Sequence, residues 1–184
     1  LAFNTKILPD AEREIENRNI KIFSNPVIYS IIEEYSSWVN SERELAEKGE
    51  FKSLTPPCSF KVMKGYIFRR SGPAVFGVEV LAGRLRQKSE VMNSSAKMIG
   101  TIRQLQEKGE NIDEASQGSE VAVSINEVIM DRHVHEGDEL FTVPRSNDAK
   151  ILLEKFSSRL TINEIETLNK IVEIKRKTNP LYAF

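Results

Sequence analysis

GYIFRRSGPAVFGVEVLAGRLR, residues 65–86, carries the pattern that decides the fold class. Val75 to Val80 alternates apolar and small or polar residues, the period of a half-buried strand. Just before it, Ser71-Gly72-Pro73 reads as a turn that holds the adjacent Arg69 and Arg70 out in water. Similar short runs recur on both sides, near Phe60 to Phe68, Val75 to Arg86, Val91, Met98 to Gln106, Glu120 to Ile125 and Leu140 to Val143. Gly, Pro, Asn and Ser clusters separate them, and such regular spacing predicts a small antiparallel barrel or sandwich over residues 54–145.

Outside the barrel the pattern changes. Residues 1–24 read strand, helix, strand, with Pro9 and Asp10 suited to a helix start and "IKIFS" (20–24) as the second strand. One such unit cannot bury enough apolar surface to stand alone, so it is expected to be a truncated piece of an α/β layer whose remaining strands lie upstream of Leu1. Residues 25–53 predict a long connecting helix, capped by Ser24 or Asn25, with Val27, Ile28, Ile31, Ile32, Tyr35, Trp38 and Val39 on one stripe. The stripe fades after Asn40 into a charged arm, and at about 1.5 Å per residue the helix reaches on the order of 35 Å. Two shorter helices broken near Asn40 or Gly49 are the alternative. Pro56 and Pro57 stop the helix. Residues 146–184 hold two helices, the second opening with Thr161 and Glu164 in capping-box spacing and showing Ile162, Ile165, Leu168, Ile171 and Val172 on one face.

Composition narrows the function classes. With 40% hydrophobic and 29% charged residues the chain is globular, and its net charge of -1 hides a local cluster of Arg69, Arg70, Arg84, Arg86 and Lys88. A single cysteine, Cys58, excludes an internal disulfide and fits a reducing compartment, so a cytoplasmic location is expected. No apolar run approaches the roughly 20 residues that span a bilayer.

Catalytic patterns are weak. "HVHEGDE" (133–139) puts His133 and His135 two apart with Glu139 following, a spacing that looks like the metal motif of cupin barrels. That motif needs a further histidine from a later strand, and none follows, so the segment reads more simply as a turn entering a strand. No G-x-S-x-G elbow and no G-x-x-x-x-G-K-[ST] phosphate loop occurs. What remains is a basic, glycine-punctuated barrel surface, on which Arg103, Gln104, Gln106 and Lys108 lead into the "EKGEN" loop. Arginine suits phosphate, and glutamine suits bases or ribose.

Val80-x-x-Gly83-x-Leu85, Val91, Ala115-x-x-Gly118-x-x-Val121-x-x-x-Ile125 and Gly137-Asp138-x-Leu140 together resemble the β-barrel that follows the GTP-binding domain in translational GTPases. Lys88 stands where that barrel carries a turn glycine. Residues 65–86, the long helix before them and the terminal "EIKRKTNP" make the whole chain similar to the C-terminal part of archaeal or eukaryotic translation initiation factor five B, the relative of bacterial initiation factor two.

The resemblance implies the end of an α/β/α third domain, a connecting helix, a barrel fourth domain and a two-helix extension. It implies a non-catalytic segment of a ribosome-dependent GTPase, without a cofactor of its own, with GTP and Mg²⁺ held by an N-terminal domain. The partners implied are the ribosome, the acceptor end of methionyl initiator tRNA, and the C-terminal tail of initiation factor one A, with neither membrane nor DNA. By matching position, the acceptor-end surface falls on Gln104 to Gly109 and on Gly118, Ser119, Glu120 and Val121. Arg103 and Lys108 are expected on phosphates, Gly118 and Ser119 as backbone donors, and Glu120 on the ribose or the ammonium group. Arg69 and Arg70 are assigned to RNA backbone or ribosome. Leu152, Leu153, Phe156, Ile165 and Leu168 beside Lys170, Lys175, Arg176 and Lys177 are expected either to form a basic-rimmed groove for the tail or to pack the helices on each other. The alternative function is a protein-interaction scaffold without RNA binding.

Overall fold

The computed structural model describes residues 1–184. They form two compact units, Leu1–Glu50 and Phe51–Phe184.

In the first unit, β1 (Ala2–Phe3) and β2 (Ser24–Asn25) pair in parallel around α1 (Pro9–Asn17). The strand expected over residues 20–24 shrinks to its last residue and Asn25, because only the two residues of β1 are present to pair with it. A single unbroken helix, α2 (Ile28–Ser53), follows, and no break falls at Asn40 or Gly49. The Asn25 Oδ1 accepts from the Val27 N–H at 2.9 Å, which satisfies a donor at the helix entrance. Of the apolar stripe only Ile31 is buried, while Val27, Ile28, Ile32 and Tyr35 stay exposed. Phe23 packs its ring against Tyr35 and Trp38 at centroid distances of 5.6 and 5.4 Å.

The second unit is built on β3 (Cys58–Arg69), β4 (Ala74–Arg86), β5 (Glu90–Asn93), β6 (Met98–Glu107), β7 (Glu110–Ile112), β8 (Glu114–Ser116), β9 (Glu120–Ile125) and β10 (Glu139–Thr142). The order β3-β10-β5-β6-β9-β4 returns to β3, closing a six-stranded antiparallel barrel. Phe60, Val62, Phe76, Val78, Val80, Ile102, Leu105, Val121, Val123, Ile125 and Leu140 point inward and fill it. β7 and β8 went unexpected because three residues are too few to show alternation. The left-handed Lys88 (φ 64°) makes the turn that a glycine makes elsewhere, and its N–H reaches the Ile102 carbonyl at 2.8 Å.

α3 (Ser146–Glu154), a 3₁₀ turn at Ser157–Arg159 and α4 (Ile162–Arg176) complete the unit. The first helix is therefore shorter than its apolar pattern suggests, tightening after Glu154. The capping box forms as expected: the Thr161 N–H donates to Glu164 Oε2 at 2.9 Å, and the Glu164 N–H donates to Thr161 Oγ1 at 3.2 Å. Glu164 is buried and also accepts from Arg84 Nε at 3.1 Å, which ties α4 to the barrel. Ile162, expected on the packed face, is 76% exposed, because the first helical position lies beyond the edge of the contact. No helix is long and apolar enough to cross a membrane.

Gly83 bends β4 with φ 75°, and a Cβ there would lie 2.0 Å from the Pro57 carbonyl oxygen. Gly83→Ala is expected to lower stability by about 3 kcal/mol, the sum of strain and backbone displacement. A denaturant midpoint equal to that of the unmodified chain contradicts this.

Candidate functional site: a trough on the outer face of the barrel

Strand alternation sets the floor. With Phe76, Val78, Val121 and Val123 pointing inward, Val75, Gly77 and Glu79 of β4 and Glu120, Ala122 and Ser124 of β9 point outward. Across the ladder Val75 faces Ser124, Gly77 faces Ala122 and Glu79 faces Glu120. Small side chains in the middle leave a depression there.

One wall comes from β3, whose register against β4 shifts between Val62 and Ile67. Gly65 turns there with φ 80°, and its N–H donates to Glu136 Oε1 at 3.0 Å. A shift of this kind reverses the parity of the strand. Ile67 packs against the core, while Tyr66 and Phe68, of the same parity as Phe60 and Val62, turn outward and are 51% and 64% exposed.

The other wall is the β6–β7 hairpin. Lys108 and Gly109, both left-handed (φ 50° and 88°), form its two-residue turn between the paired Glu107 and Glu110, the geometry of a type I′ turn. The side-chain amides of Gln104 and Gln106 both donate to Asn111 Oδ1, the latter at 2.9 Å. Asn111 therefore fixes how the two glutamines present themselves.

Two adjoining cavities result. One of about 430 Å³ lies among Met63, Tyr66, Phe68, Val75, Gly77, Gln106, Lys108, Gly109, Glu120, Val121 and Ala122. The other, of about 320 Å³, lies among Arg69, Pro73, Val75, Arg103, Gln104, Gln106, Ala122, Val123 and Ser124. Sharing Val75, Gln106 and Ala122, they make one trough, apolar at one end and cationic at the other. Each falls within or near the size range of small-ligand sites. The shape and charge of such a surface are complementary to a ligand with an apolar end and an anionic continuation.

Arg103, Gln104, Gln106, Lys108, Gly109, Glu120 and Val121, expected on one surface, line the trough together, and Arg69, expected on RNA backbone or ribosome, joins them. Gly118 and Ser119 do not line the trough. Their N–H groups donate to Val80 and Ser116 carbonyls at 2.8 and 3.1 Å, and Gly118 (φ 82°) serves the turn, so neither offers a free backbone donor. Arg70 lies outside as well: it pairs with Asp131, and its carbonyl accepts from the Met130 N–H, which ties the β3–β4 hairpin to the following loop. Asn111 and the outward Tyr66 and Phe68 were missed. Their signal was the charged Lys64 at an inward position beside Gly65, a mark of a bulge.

Of the helix residues proposed for a groove, Leu152, Phe156 and Leu168 are buried in a core with Leu54, Ala149, Leu160 and Tyr182. Only Leu153 and Ile165 are half-buried at its edge. Lys170 pairs with Glu139 at 2.9 Å, Lys175 lies 5.8 Å from the Tyr182 ring centre, and Arg176 donates to the Tyr182 and Ala183 carbonyls. Packing of the helices accounts for these side chains. In the histidine segment, His133 Nδ1 accepts from the Ile129 N–H at 3.2 Å, and His135 lies 3.6 Å from Asp138. With Glu139 held by Lys170, the three residues of the cupin-like spacing go to separate partners.

A closed six-stranded antiparallel barrel in this strand order defines the class, that of the accessory β-domains of translation factors. Residues 56–141 match the family described as elongation factor Tu domain 4. Over all 184 residues the chain is 43% identical to a probable translation initiation factor IF-2 of Ignicoccus hospitalis and 44% identical to that of Hyperthermus butylicus. It spans about 30% of the length of each. The crystal structure of GDP-bound aIF5B from Aeropyrum pernix covers 99% of the chain, and the chain covers 31% of that structure, at 39% identity and a TM-score of 0.72. Residues 56–141 are thus similar to that elongation-factor domain, and the chain as a whole to about a third of archaeal translation initiation factor IF-2.

Burial, and secondarily the charge of Glu164, pushes the Cys58 thiol well above its ordinary range. At pH 8 it is expected to react with a disulfide reagent orders of magnitude more slowly in the folded chain than in denaturant. Equal rates contradict that.

Proposed function

We propose that the trough receives the aminoacylated acceptor end of methionyl initiator tRNA while the full-length factor promotes joining of the ribosomal subunits. The observation that carries this reading is the convergence of three cations, Arg69, Arg103 and Lys108, with one carboxylate, Glu120, around an apolar cleft. Arg69 and Arg103 meet phosphates of the CCA end. Gln104 and Gln106, oriented by Asn111, reach base edges or ribose, and the rings of Tyr66 and Phe68 offer stacking faces to an unpaired base. The methionine side chain enters the cleft among Met63, Tyr66 and Val75, with Glu120 beside its ammonium group.

GTP hydrolysis with Mg²⁺ belongs to a part of the factor outside these residues, since the 184 residues contain no phosphate-binding loop of the G-x-x-x-x-G-K-[ST] kind. The tail of initiation factor one A is proposed to dock at the edge of the two end helices, on the half-buried Leu153 and Ile165, with Lys175 ten residues further along α4 for its acidic groups, rather than on the buried Leu152, Phe156 and Leu168. A ribosomal partner places the factor in the cytoplasm.

Arg103→Ala with Lys108→Ala is expected to weaken binding of methionyl initiator tRNA about tenfold or more and to flatten the salt dependence by about two counterions. Arg70→Ala, whose guanidinium is already paired, should change it less than twofold. Filter binding across a salt series reads both. A double variant that binds as tightly as the unmodified chain leaves the scaffold reading in place.

A further inference from the structure

Of the glycines in the barrel, Gly77 is the one whose missing side chain shapes the trough. Its φ lies outside the left-handed region, so the backbone does not require glycine there. Space does. A Cβ at position 77 would stand 2.8 Å from Tyr66 Cβ, 3.4 Å from Tyr66 Cγ and 3.6 Å from Met63 Sδ. The closest of these atoms is fixed to the β3 backbone rather than carried at the end of a flexible chain, so it yields only if the bulged segment moves. Gly83 and Gly100 also lack room for a Cβ, but their nearest neighbours are the Pro57 and Asn126 carbonyl oxygens, away from the trough.

We infer that Gly77 is a positioning and specificity-determining residue of the cleft. It lets the stem of Tyr66 and the thioether of Met63 settle onto the floor opposite Ala122, and so sets the depth available to an aminoacyl side chain. This rests on the acceptor-end reading above. A methyl group added at the floor meets Tyr66 Cβ and lifts that side chain from its place against position 77. A long unbranched side chain such as that of methionine loses its seat, and a short one such as that of alanine does not reach it. The atoms nearest a Cβ at position 77 belong to Tyr66 and Met63, and Arg69 and Arg103 lie in the neighbouring cavity. Loss of depth is therefore expected to leave phosphate binding intact.

The test uses the 184-residue chain and two probes, the trinucleotide CCA carrying methionine or alanine on its terminal adenosine through a stable 3′-amide. The unmodified chain is expected to prefer the methionyl probe. Gly77→Ala should weaken that probe about tenfold, change the alanyl probe less than twofold, and so abolish the preference. The ratio is taken on one preparation and does not depend on the folded fraction. A second variant guards against loss of fold: in a Tyr66→Gly background the contact is gone, and adding Gly77→Ala should then alter affinity for the methionyl probe less than twofold. Full preference in Gly77→Ala overturns the inference. So does a tenfold loss that persists in the Tyr66→Gly background, since it means that the added methyl acts elsewhere. An unmodified chain that binds both probes equally overturns the inference and leaves the acceptor-end reading standing. One that binds neither overturns the acceptor-end reading itself.

Discussion

The pairing of β3 with β4 is the interaction on which the rest of the second unit depends. It closes the sheet, so that no edge remains between these strands, and closure leaves the interior just wide enough for side chains to fill. With Phe60, Phe76, Leu105 and their neighbours occupying that interior, nothing can bind inside. The outer wall is where the barrel carries its trough. The same pairing also supplies the site, because the register shift between Val62 and Ile67 turns two aromatic rings outward over the small residues of β4 and β9.

The helical extension is tied to the barrel at one buried carboxylate, at the Lys170–Glu139 pair and along apolar contacts. Glu164 closes the capping box of α4 and accepts from Arg84, while Ile171 and Ile174 of α4 pack with Met92, Phe141 and Val143 of the sheet. A buried carboxylate with a charged partner contributes little net stability, but removing either partner leaves a charge unpaired. The arrangement fixes where α4 starts. Tyr182 adds a further tie, donating its hydroxyl to the Pro144 carbonyl, and its burial, followed by the charges of Asp148 and Glu90, pushes its ionisation upward. Leu152, Phe156 and Leu168, which resembled part of a docking groove, are therefore the packing of this extension.

Much of this was legible in the sequence. Six strands showed as short apolar runs between turn residues, with period-two alternation at Val75–Val80, and the capping box was written in Thr161 and Glu164. The cations of the trough were found on the β6–β7 hairpin because Lys108-Gly109 punctuates it. Other features were not legible because they arise from parity and from pairing. Tyr66 and Phe68 look like interior residues until the bulge at Gly65 reverses their side of the sheet. Gly118 and Ser119 look like free donors until the Val80 and Ser116 carbonyls claim their N–H groups. Leu152 and Phe156 read equally well as groove or core, and only the approach of Leu54 and Tyr182 decides for core. A two-residue strand such as β2 shows how far pairing depends on the partner available.

The central claim is that one outer trough, floored by Gly77 and Ala122, takes a charged nucleic-acid tip. Backbone amide resonances of the isotopically labelled 184-residue chain, followed during titration with the methionyl-CCA amide, test it most directly. The account predicts saturable shifts concentrated at Tyr66, Gly77, Gln106, Gly109, Glu120 and Ala122, with α3 and α4 unmoved. Shifts confined to the two helices, or none at concentrations that saturate initiator tRNA binding, would contradict it.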